Sequence, residues 1–173
     1  MAVVSGSNPG QAKAAHFSLL YPKTPGNRSF KHRNHNVKVT NKPILLVEDD
    51  QVDTMTVVRA LTEIHVANPL VHVENGEEAI NYLQDAQRDK PCIVLLDLNM
   101  PIMNGIEFLQ VVKNDSQFRR IPVVVLTTSE EQQDKVNSFN LGVAGYMAKP
   151  VDYRQFVEVM RSIDAYWTIS EMP

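Results

Sequence analysis

The chain has 173 residues with a formal net charge of −3, and 43% of its residues are hydrophobic while 21% are charged. This length suits one domain with or without a tail, and the apolar share excludes a wholly disordered chain. The absence of any run of about 18 apolar residues excludes a membrane-spanning helix. The single cysteine, Cys92, excludes an internal disulfide and a cysteine-based zinc site, and it predicts a buried thiol in a reducing, cytoplasmic compartment.

Residues 1–42 differ in charge from the rest of the chain, because they hold seven Lys or Arg and no Asp or Glu. Residues 43–173 hold ten basic and twenty acidic side chains, a net charge of −10. We predict a flexible basic tail over 1–42, in which residues 14–21 form at most one or two helical turns before Pro22 and Pro25. Two alternatives stay open, namely an organellar transit peptide and a segment that contacts nucleic acid or an anionic surface.

From residue 43 the chain alternates between aliphatic runs and segments in which apolar residues have helical spacing. The aliphatic runs predict strands at residues 44–47, 69–73, 93–96, 122–126 and 143–147. The other segments predict helices at about residues 51–66, 75–83, 104–112, 129–141 and 152–167, with N-caps that include Asp50, Ser129 and Asp152. Continuous aliphatic runs are typical of strands buried on both faces of a parallel sheet. The alternation therefore predicts an open α/β fold with right-handed crossovers.

Four of the five predicted strands end in residues that an apolar core cannot hold. These residues are Glu48 and Asp49, Asp97, Thr127 and Lys149. Parallel strands all point the same way, so these side chains are expected at one edge of the sheet, where open α/β folds bind their ligands. The topology thus predicts a single site built from four strand ends.

The carboxylates Glu48, Asp49 and Asp97 are expected close together if the first and third strands are neighbours. Three like charges repel strongly in a partly buried site, so either one is protonated or a cation neutralises them. Oxygen ligands without histidine or cysteine favour Mg²⁺, and a tight turn after Asp97 would add the Asn99 carbonyl. For Asp50, the N-cap is the favoured interpretation.

Thr127 and Lys149 add a hydroxyl and an ammonium to this predicted site. The hydroxyl could bond an oxygen added at Asp97, and the ammonium stands where an anion would need a positive charge. Threonine is also an ordinary strand residue, and a lone lysine is usually solvated. Only the combination of metal-binding acids, an acceptor carboxylate, a hydroxyl and an ammonium indicates a phosphoryl-transfer pocket.

Four motifs resemble the receiver domain of two-component response regulators over residues 43–166: ILLVEDD, LLDLNMPIMNG, VVVLTTS and GYMAKP. Their spacing also fits that family, with 30 residues from Asp97 to Thr127 and 52 from Asp97 to Lys149. The resemblance implies a flavodoxin-like, doubly wound sheet of five parallel strands in the order 2-1-3-4-5, with five helices. The expected division is a tail at 1–42, a receiver domain at 43–167 and a short tail at 168–173.

The resemblance also implies a role for each matching residue. Asp97 would be the phosphoacceptor, which attacks a phosphohistidine of a sensor kinase. The Mg²⁺ ligands would be Asp49, Asp97 and the Asn99 carbonyl, with Glu48 acting through water. Thr127 and Lys149 would contact the phosphoryl group, Tyr146 would be a switch residue, and the Lys149–Pro150 bond could be cis.

The expected output is a change on a protein-interaction face made of the fourth helix, the fifth strand and the fifth helix, about residues 130–167. Six residues follow that last helix, so we expect a stand-alone receiver with no effector domain and no direct nucleic-acid binding. PLVHVENGEEAINYL and YWTISEMP resemble receivers that partner phytochrome-type histidine kinases; a phosphotransfer protein is another candidate partner. A homodimer through this face could use Tyr153, Phe156 or Trp167, or Trp167 could pin the last helix to the core.

Two other functions compete with this interpretation. A Mg²⁺-dependent phosphatase with an aspartyl nucleophile usually carries Asp-x-Asp-x-Thr after a strand, whereas Asp97 is followed by Leu-Asn-Met-Pro. A receiver-shaped binding module that is never phosphorylated is disfavoured by the intact Asp97, Thr127 and Lys149. In the receiver interpretation, the protein is not an enzyme and catalyses only its own phosphorylation and dephosphorylation.

Overall fold

The computed structural model describes residues 18–20, 42–127 and 141–169. Its strands are β1 (Ser18–Leu20), β2 (Ile44–Val47), β3 (Leu70–Val73), β4 (Ile93–Leu96), β5 (Val123–Thr127) and β6 (Gly145–Ala148). Its helices are α1 (Gln51–Glu63), α2 (Gly76–Gln84), α3 (Gly105–Asn114) and α4 (Tyr153–Ile169). Within these ranges, no helix is both long enough and apolar enough to cross a bilayer.

The strands form one sheet in the order β1-β3-β2-β4-β5-β6. Strands β2 to β6 run parallel to their neighbours in the sheet, and β2 lies between β3 and β4. Counted among the five parallel strands alone, this is the expected order 2-1-3-4-5, so the predicted flavodoxin-like topology is confirmed. Four of the five predicted helices are present, and the expected fourth helix, at about residues 129–141, lies outside the described residues except for Leu141.

The sixth strand, β1, was not predicted. Ser18–Leu20 pair antiparallel with the outer edge of β3, Ser18 opposite His72 and Leu20 opposite Leu70. The suggested helical turns at 14–21 are therefore wrong for these three residues, and part of the expected tail is a strand. Without β1, β3 would present a row of unpaired backbone groups, and covering such an edge is a common protection against pairing with another chain.

Each face of the parallel sheet has its own apolar core, because successive side chains of a strand point to opposite faces. One core joins alternate strand residues to α2 and α3, and its largest fully buried side chain is Phe108. The other joins the remaining strand residues to α1 and α4. Cys92 belongs to this second core as a free thiol with no exposed surface, and burial raises its pKa to about 11, which confirms the predicted buried thiol.

The aromatic side chains of α4 mostly face the core. Phe156 is 3% exposed and Trp167 is 6% exposed, so Trp167 pins α4 to the sheet. Tyr153 is half-buried, donates a hydrogen bond of 2.9 Å to Glu63 and lies beneath the guanidinium of Arg59. The expectation that Phe156 or Trp167 is exposed for a dimer contact is wrong, because both are buried within the monomer, and the alternative that Trp167 pins the last helix to the core is confirmed.

Of the predicted N-caps, Ser129 lies outside the described residues, while Asp50 and Asp152 accept hydrogen bonds from otherwise unpaired backbone N–H groups at their helix starts. Asp50 accepts from the backbone N–H groups of Val52 and Asp53 at 2.7 and 3.0 Å, which confirms its N-cap role. Asp152 likewise accepts from Gln155 at 3.0 Å at the start of α4. These caps fix where each helix begins, directly after the loops that carry the polar strand-end residues.

Ile102 has a left-handed backbone conformation, with a φ of 69°, and is 76% exposed. This conformation is unfavourable for a β-branched residue, whereas asparagine tolerates it. Ile102→Asn is therefore expected to raise the free energy of unfolding by about 1 kcal/mol. Urea unfolding measures the change, with the fully exposed Val151→Asn as a matched control expected to change stability by less than about 0.5 kcal/mol. If Ile102→Asn left the free energy of unfolding unchanged or lowered it, the left-handed conformation of Ile102 would not be a source of backbone strain.

Candidate functional site

The ends of β2 and β4 bring the predicted carboxylates together. The two strands pair in register, with Val47 opposite Leu96, so Glu48 and Asp97 leave the sheet side by side. The backbone N–H of Asp97 donates to the carbonyl of Val47 at 2.9 Å, which ties the two strand ends at this point. The prediction that the first and third parallel strands are neighbours is thereby confirmed.

Glu48, Asp49 and Asp97 each place a carboxylate oxygen within 4.8 Å of the others. Glu48 is 2% exposed and Asp97 is 6% exposed, while Asp49 is exposed. Buried carboxylates at this separation need protons, a cation or hydrogen-bond donors, since their mutual repulsion is weakly screened. The group is therefore buried where Glu48 and Asp97 leave the sheet, and it is open to solvent at Asp49.

Lys149 supplies one positive charge to this group. It follows β6, whose last residue, Ala148, lies opposite Thr127 of β5. Its ammonium lies 2.5 Å from Oε2 of Glu48 and 3.1 Å from Oδ1 of Asp97, and its side chain is only 8% exposed. Across the described residues, the Lys149–Pro150 bond and every other peptide bond are trans, so the suggested cis bond is wrong.

The pKa values of Glu48 and Lys149 reflect this pairing. Burial raises the pKa of Glu48 to about 7, although the bond to Lys149 pulls it downward and the charge of Asp97 raises it further. Burial alone would lower the pKa of Lys149, but its bond to Asp53 and the charges of Asp97 and Glu48 leave that pKa above its ordinary value. Lys149 therefore keeps its positive charge in the site, and burial holds the pKa of Glu48 above its ordinary value in spite of the ion pair.

The loop after β4 holds Asp97 in a fixed orientation. Oδ2 of Asp97 accepts a hydrogen bond from the backbone N–H of Asn99 at 2.6 Å, while its Oδ1 contacts Lys149. The backbone N–H of Gly105 donates to the carbonyl of Leu98 at 3.0 Å and closes the loop. A cavity of about 600 Å³ lies beside it, and its lining includes Asp49 and Asn99. Asn99 thus lies next to Asp97, and the role of its carbonyl as a metal ligand stays a prediction.

Two predicted site residues are located by their strand positions. Thr127 is the last residue of β5 and lies opposite Ala148, beside the start of the Lys149 loop. Tyr146 lies in β6 opposite Val125, half-buried against the core that α2 and α3 cover. Both therefore belong to the strands next to the acidic group, on the side that carries Lys149.

Sequence reasoning missed Asp53, the third carboxylate in contact with Lys149. Its Oδ2 lies 2.7 Å from the ammonium, and its side chain is 37% exposed. Asp53 stands in the first turn of α1, four residues after Asp49. Asp49 precedes the N-cap Asp50 and lies outside the helix, so no local spacing in the sequence relates Asp53 to the site or to Lys149, 96 residues later. His72 was also missed; its Nε2 bonds the Glu48 carbonyl at 2.8 Å.

A family model of the response regulator receiver domain matches residues 44–161. The chain belongs to the response regulator receiver family. The response regulator Rcp1 of Synechocystis is 34% identical over 130 residues, which cover 73% of this chain and 88% of that protein. The crystal structure of the phosphorylated cyanobacterial phytochrome response regulator RcpA shares 36% identity with a TM-score of 0.71, covering 76% of this chain and 98% of that one.

The Mn²⁺-bound crystal structure of Rcp1 is a further match to this receiver domain, with 33% identity and a TM-score of 0.71, covering 76% of this chain and 99% of that one. The motifs had implied a two-component receiver similar to phytochrome response regulators, and this is confirmed. Receiver domains bind a divalent metal at an acidic cluster, and in this receiver the acidic cluster is Glu48, Asp49 and Asp97.

Proposed function

We propose that this receiver domain accepts a phosphoryl group on Asp97 from a sensor histidine kinase or a phosphotransfer protein. The observation that carries the proposal is the setting of the Asp97 carboxylate, which is 6% exposed and lies 3.1 Å from a lysine ammonium. A positive charge beside a carboxylate nucleophile stabilises the charge that a transferred phosphoryl group brings. The similarity to Rcp1 and RcpA supports a phytochrome-type kinase as the donor.

The donor set fits Mg²⁺, since the grouped side chains offer only carboxylate oxygens and one of them faces solvent. Asp49, Asp97 and the Asn99 carbonyl would hold the ion, with Glu48 acting through water. A bound Mg²⁺ would neutralise charge on the carboxylates and on phosphate oxygens. The similarity to the Mn²⁺-bound form of Rcp1 supports the binding of a divalent cation by this receiver.

In the proposed reaction, a carboxylate oxygen of Asp97 forms a bond to phosphorus while the bond from phosphorus to the donor histidine nitrogen breaks. The electron pair of that bond returns to the imidazole, and the product is an acyl phosphate. Lys149 would turn its ammonium from the Asp97 carboxylate to the new phosphoryl oxygens. Thr127, at the end of β5, would donate its hydroxyl to another of those oxygens.

The switch follows from the added charge. A phosphorylated side chain carries about −1.5 to −2 charges, which would draw Thr127 and Lys149 toward Asp97. Movement of Thr127 would leave space for the inward turn of Tyr146, whose strand pairs with β5. The affected face would comprise β6, α4 and the expected fourth helix, which lies outside the described residues, and its two conformations would differ in affinity for a partner protein.

Four further expectations concern the domain division, the location, the catalytic turnover and the oligomeric state of the protein. The domain division at 43–167, the cytoplasmic location and the absence of turnover on other substrates stay predictions. A homodimer through the face of the expected fourth helix, β6 and α4 also stays a prediction, and on α4 the exposed Tyr166 rather than the buried Phe156 or Trp167 would contribute to it.

Intact-mass spectrometry after incubation with acetyl phosphate and Mg²⁺ tests the proposed function. We expect a labile phosphate adduct on the unchanged protein and none on Asp97→Asn. The matched control is Asp89→Asn, an exposed carboxylate outside the site, which should keep the adduct. Continuous release of phosphate from many substrates would favour an aspartyl phosphatase instead. Absence of the adduct with every donor would favour a binding module that is never phosphorylated.

A further inference from the structure

Asp53 differs from the other two carboxylates that contact Lys149, because it is not part of the candidate metal group. The ammonium touches three carboxylates: Glu48 at 2.5 Å, Asp53 at 2.7 Å and Asp97 at 3.1 Å. Glu48 and Asp97 also belong to the group of three whose oxygens lie within 4.8 Å of one another, and Asp53 does not. Asp53 is therefore the partner of Lys149 that lies outside the candidate metal group.

Glu48 and Asp97 cannot fully serve both as partners of the Lys149 ammonium and as ligands of a divalent cation. An ammonium has three N–H donors, and here all three have carboxylate partners. A divalent cation among Glu48, Asp49 and Asp97 would draw on the same oxygens and would repel the ammonium. Lys149 must then either leave the site or keep a partner that the cation does not use.

We propose that Asp53 is a positioning residue that holds Lys149 beside Asp97 while a divalent cation occupies the carboxylate group. The inference rests on the proposed function, because it concerns the same metal and phosphoryl site. Asp53 gives the ammonium a carboxylate partner on the solvent side of the cluster. The cation and Lys149 then compete less for the oxygens of Glu48 and Asp97. Loss of the Asp53 charge leaves Lys149 with Glu48 and Asp97 alone, and it also removes a negative charge near the cation. Both effects weaken cation binding.

A simpler interpretation of Asp53 is that it only stabilises α1. An acidic residue in the first turn of a helix interacts favourably with the helix dipole. Asp50 offers a matched comparison, because it begins the same helix and caps it through bonds to Val52 and Asp53 backbone groups. Asparagine caps a helix as well as aspartate does, so Asp50→Asn removes one charge from the same turn without removing the cap or a contact with Lys149.

Isothermal titration of the full chain with Mg²⁺ alone tests the proposal. We expect Asp53→Asn to raise the Kd for Mg²⁺ about tenfold, and Asp50→Asn to raise it about twofold or less. Asp53→Glu keeps the charge within reach of Lys149 and should restore most of the affinity. In the Lys149→Met background, Asp53→Asn should lose its excess effect and match Asp50→Asn, since no ammonium remains to be held.

Equal effects of Asp53→Asn and Asp50→Asn would overturn the proposal, and so would a full tenfold effect of Asp53→Asn in the Lys149→Met background. If the unchanged protein forms the Asp97 adduct while Asp53→Asn binds Mg²⁺ normally, only the role of Asp53 fails. If the unchanged protein neither binds Mg²⁺ nor forms the adduct, the proposed function fails together with it.

Discussion

Lys149→Met is expected to lower the free energy of unfolding of the metal-free protein by about 3 kcal/mol. The substitution removes the ammonium but leaves the carboxylates of Glu48 and Asp97 buried, with 3% and 7% of their side chains exposed. Removing one partner of a buried ion pair leaves an uncompensated charge, which costs more than the pair itself contributes. Urea unfolding in the presence of EDTA measures the loss.

The same measurement in excess Mg²⁺ should show a smaller loss, because a cation bound by the freed carboxylates stabilises the folded state through mass action. Lys113→Met is the matched control. Lys113 is half-buried, and its ammonium donates to the backbone carbonyls of Arg119 and Ile121 rather than to carboxylates. Its stability loss should be the same with and without Mg²⁺. If the stability loss of Lys149→Met were equally insensitive to Mg²⁺, the claim that Lys149 and a bound cation neutralise the same buried carboxylates would be contradicted.

Gly105→Ala is expected to lower the free energy of unfolding by about 3 kcal/mol and to abolish phosphorylation of Asp97. A Cβ on residue 105 would lie 2.5 Å from the carbonyl oxygen of Asp97 and 2.8 Å from the Cα of Leu98. Both are backbone atoms, so the clash cannot be relieved by turning a side chain. The strand end that carries Asp97 would have to move, and a shift of one ångström there is enough to spoil a phosphoryl-transfer geometry.

Gly145→Ala is the control for Gly105→Ala. A Cβ at residue 145 meets its nearest atom, Cγ2 of Val124, at 3.9 Å, which is an ordinary contact. We expect that variant to unfold within about 0.5 kcal/mol of the unchanged protein and to accept phosphate normally. Urea unfolding and intact mass of both variants check the pair. A Gly105→Ala protein that retains full stability and full adduct formation would contradict the close contact at Asp97.

The parts of the fold that could be predicted depend on strong local patterns. The continuous aliphatic runs of β2, β4 and β5 predicted strands buried on both faces, and all their described side chains are buried. Polar residues directly after those runs then had to converge at one edge, which is why Glu48, Asp49 and Asp97 were predicted together. The strand order itself came from the resemblance of the motifs.

The parts that were missed depend on contacts between distant segments. Ser18–Leu20 has no strong pattern of its own and forms a strand because the edge of β3, some fifty residues later, offers backbone partners. Asp53 was read only as part of a helix, because a charge at a helix start does not reveal its partner 96 residues away. Phe156 and Trp167 were offered as dimer contacts, with a core position left open for Trp167, because helical spacing alone does not tell which face a neighbouring sheet covers.

A crystal structure of the protein grown with Mn²⁺, with anomalous scattering used to locate the ion, tests the central claim most directly. We predict one Mn²⁺ per protein chain, coordinated by carboxylate oxygens of Asp49 and Asp97. One oxygen of Asp97 should still be directed toward Lys149. An ion bound elsewhere, or an ion that takes both Asp97 oxygens away from Lys149, would contradict the account.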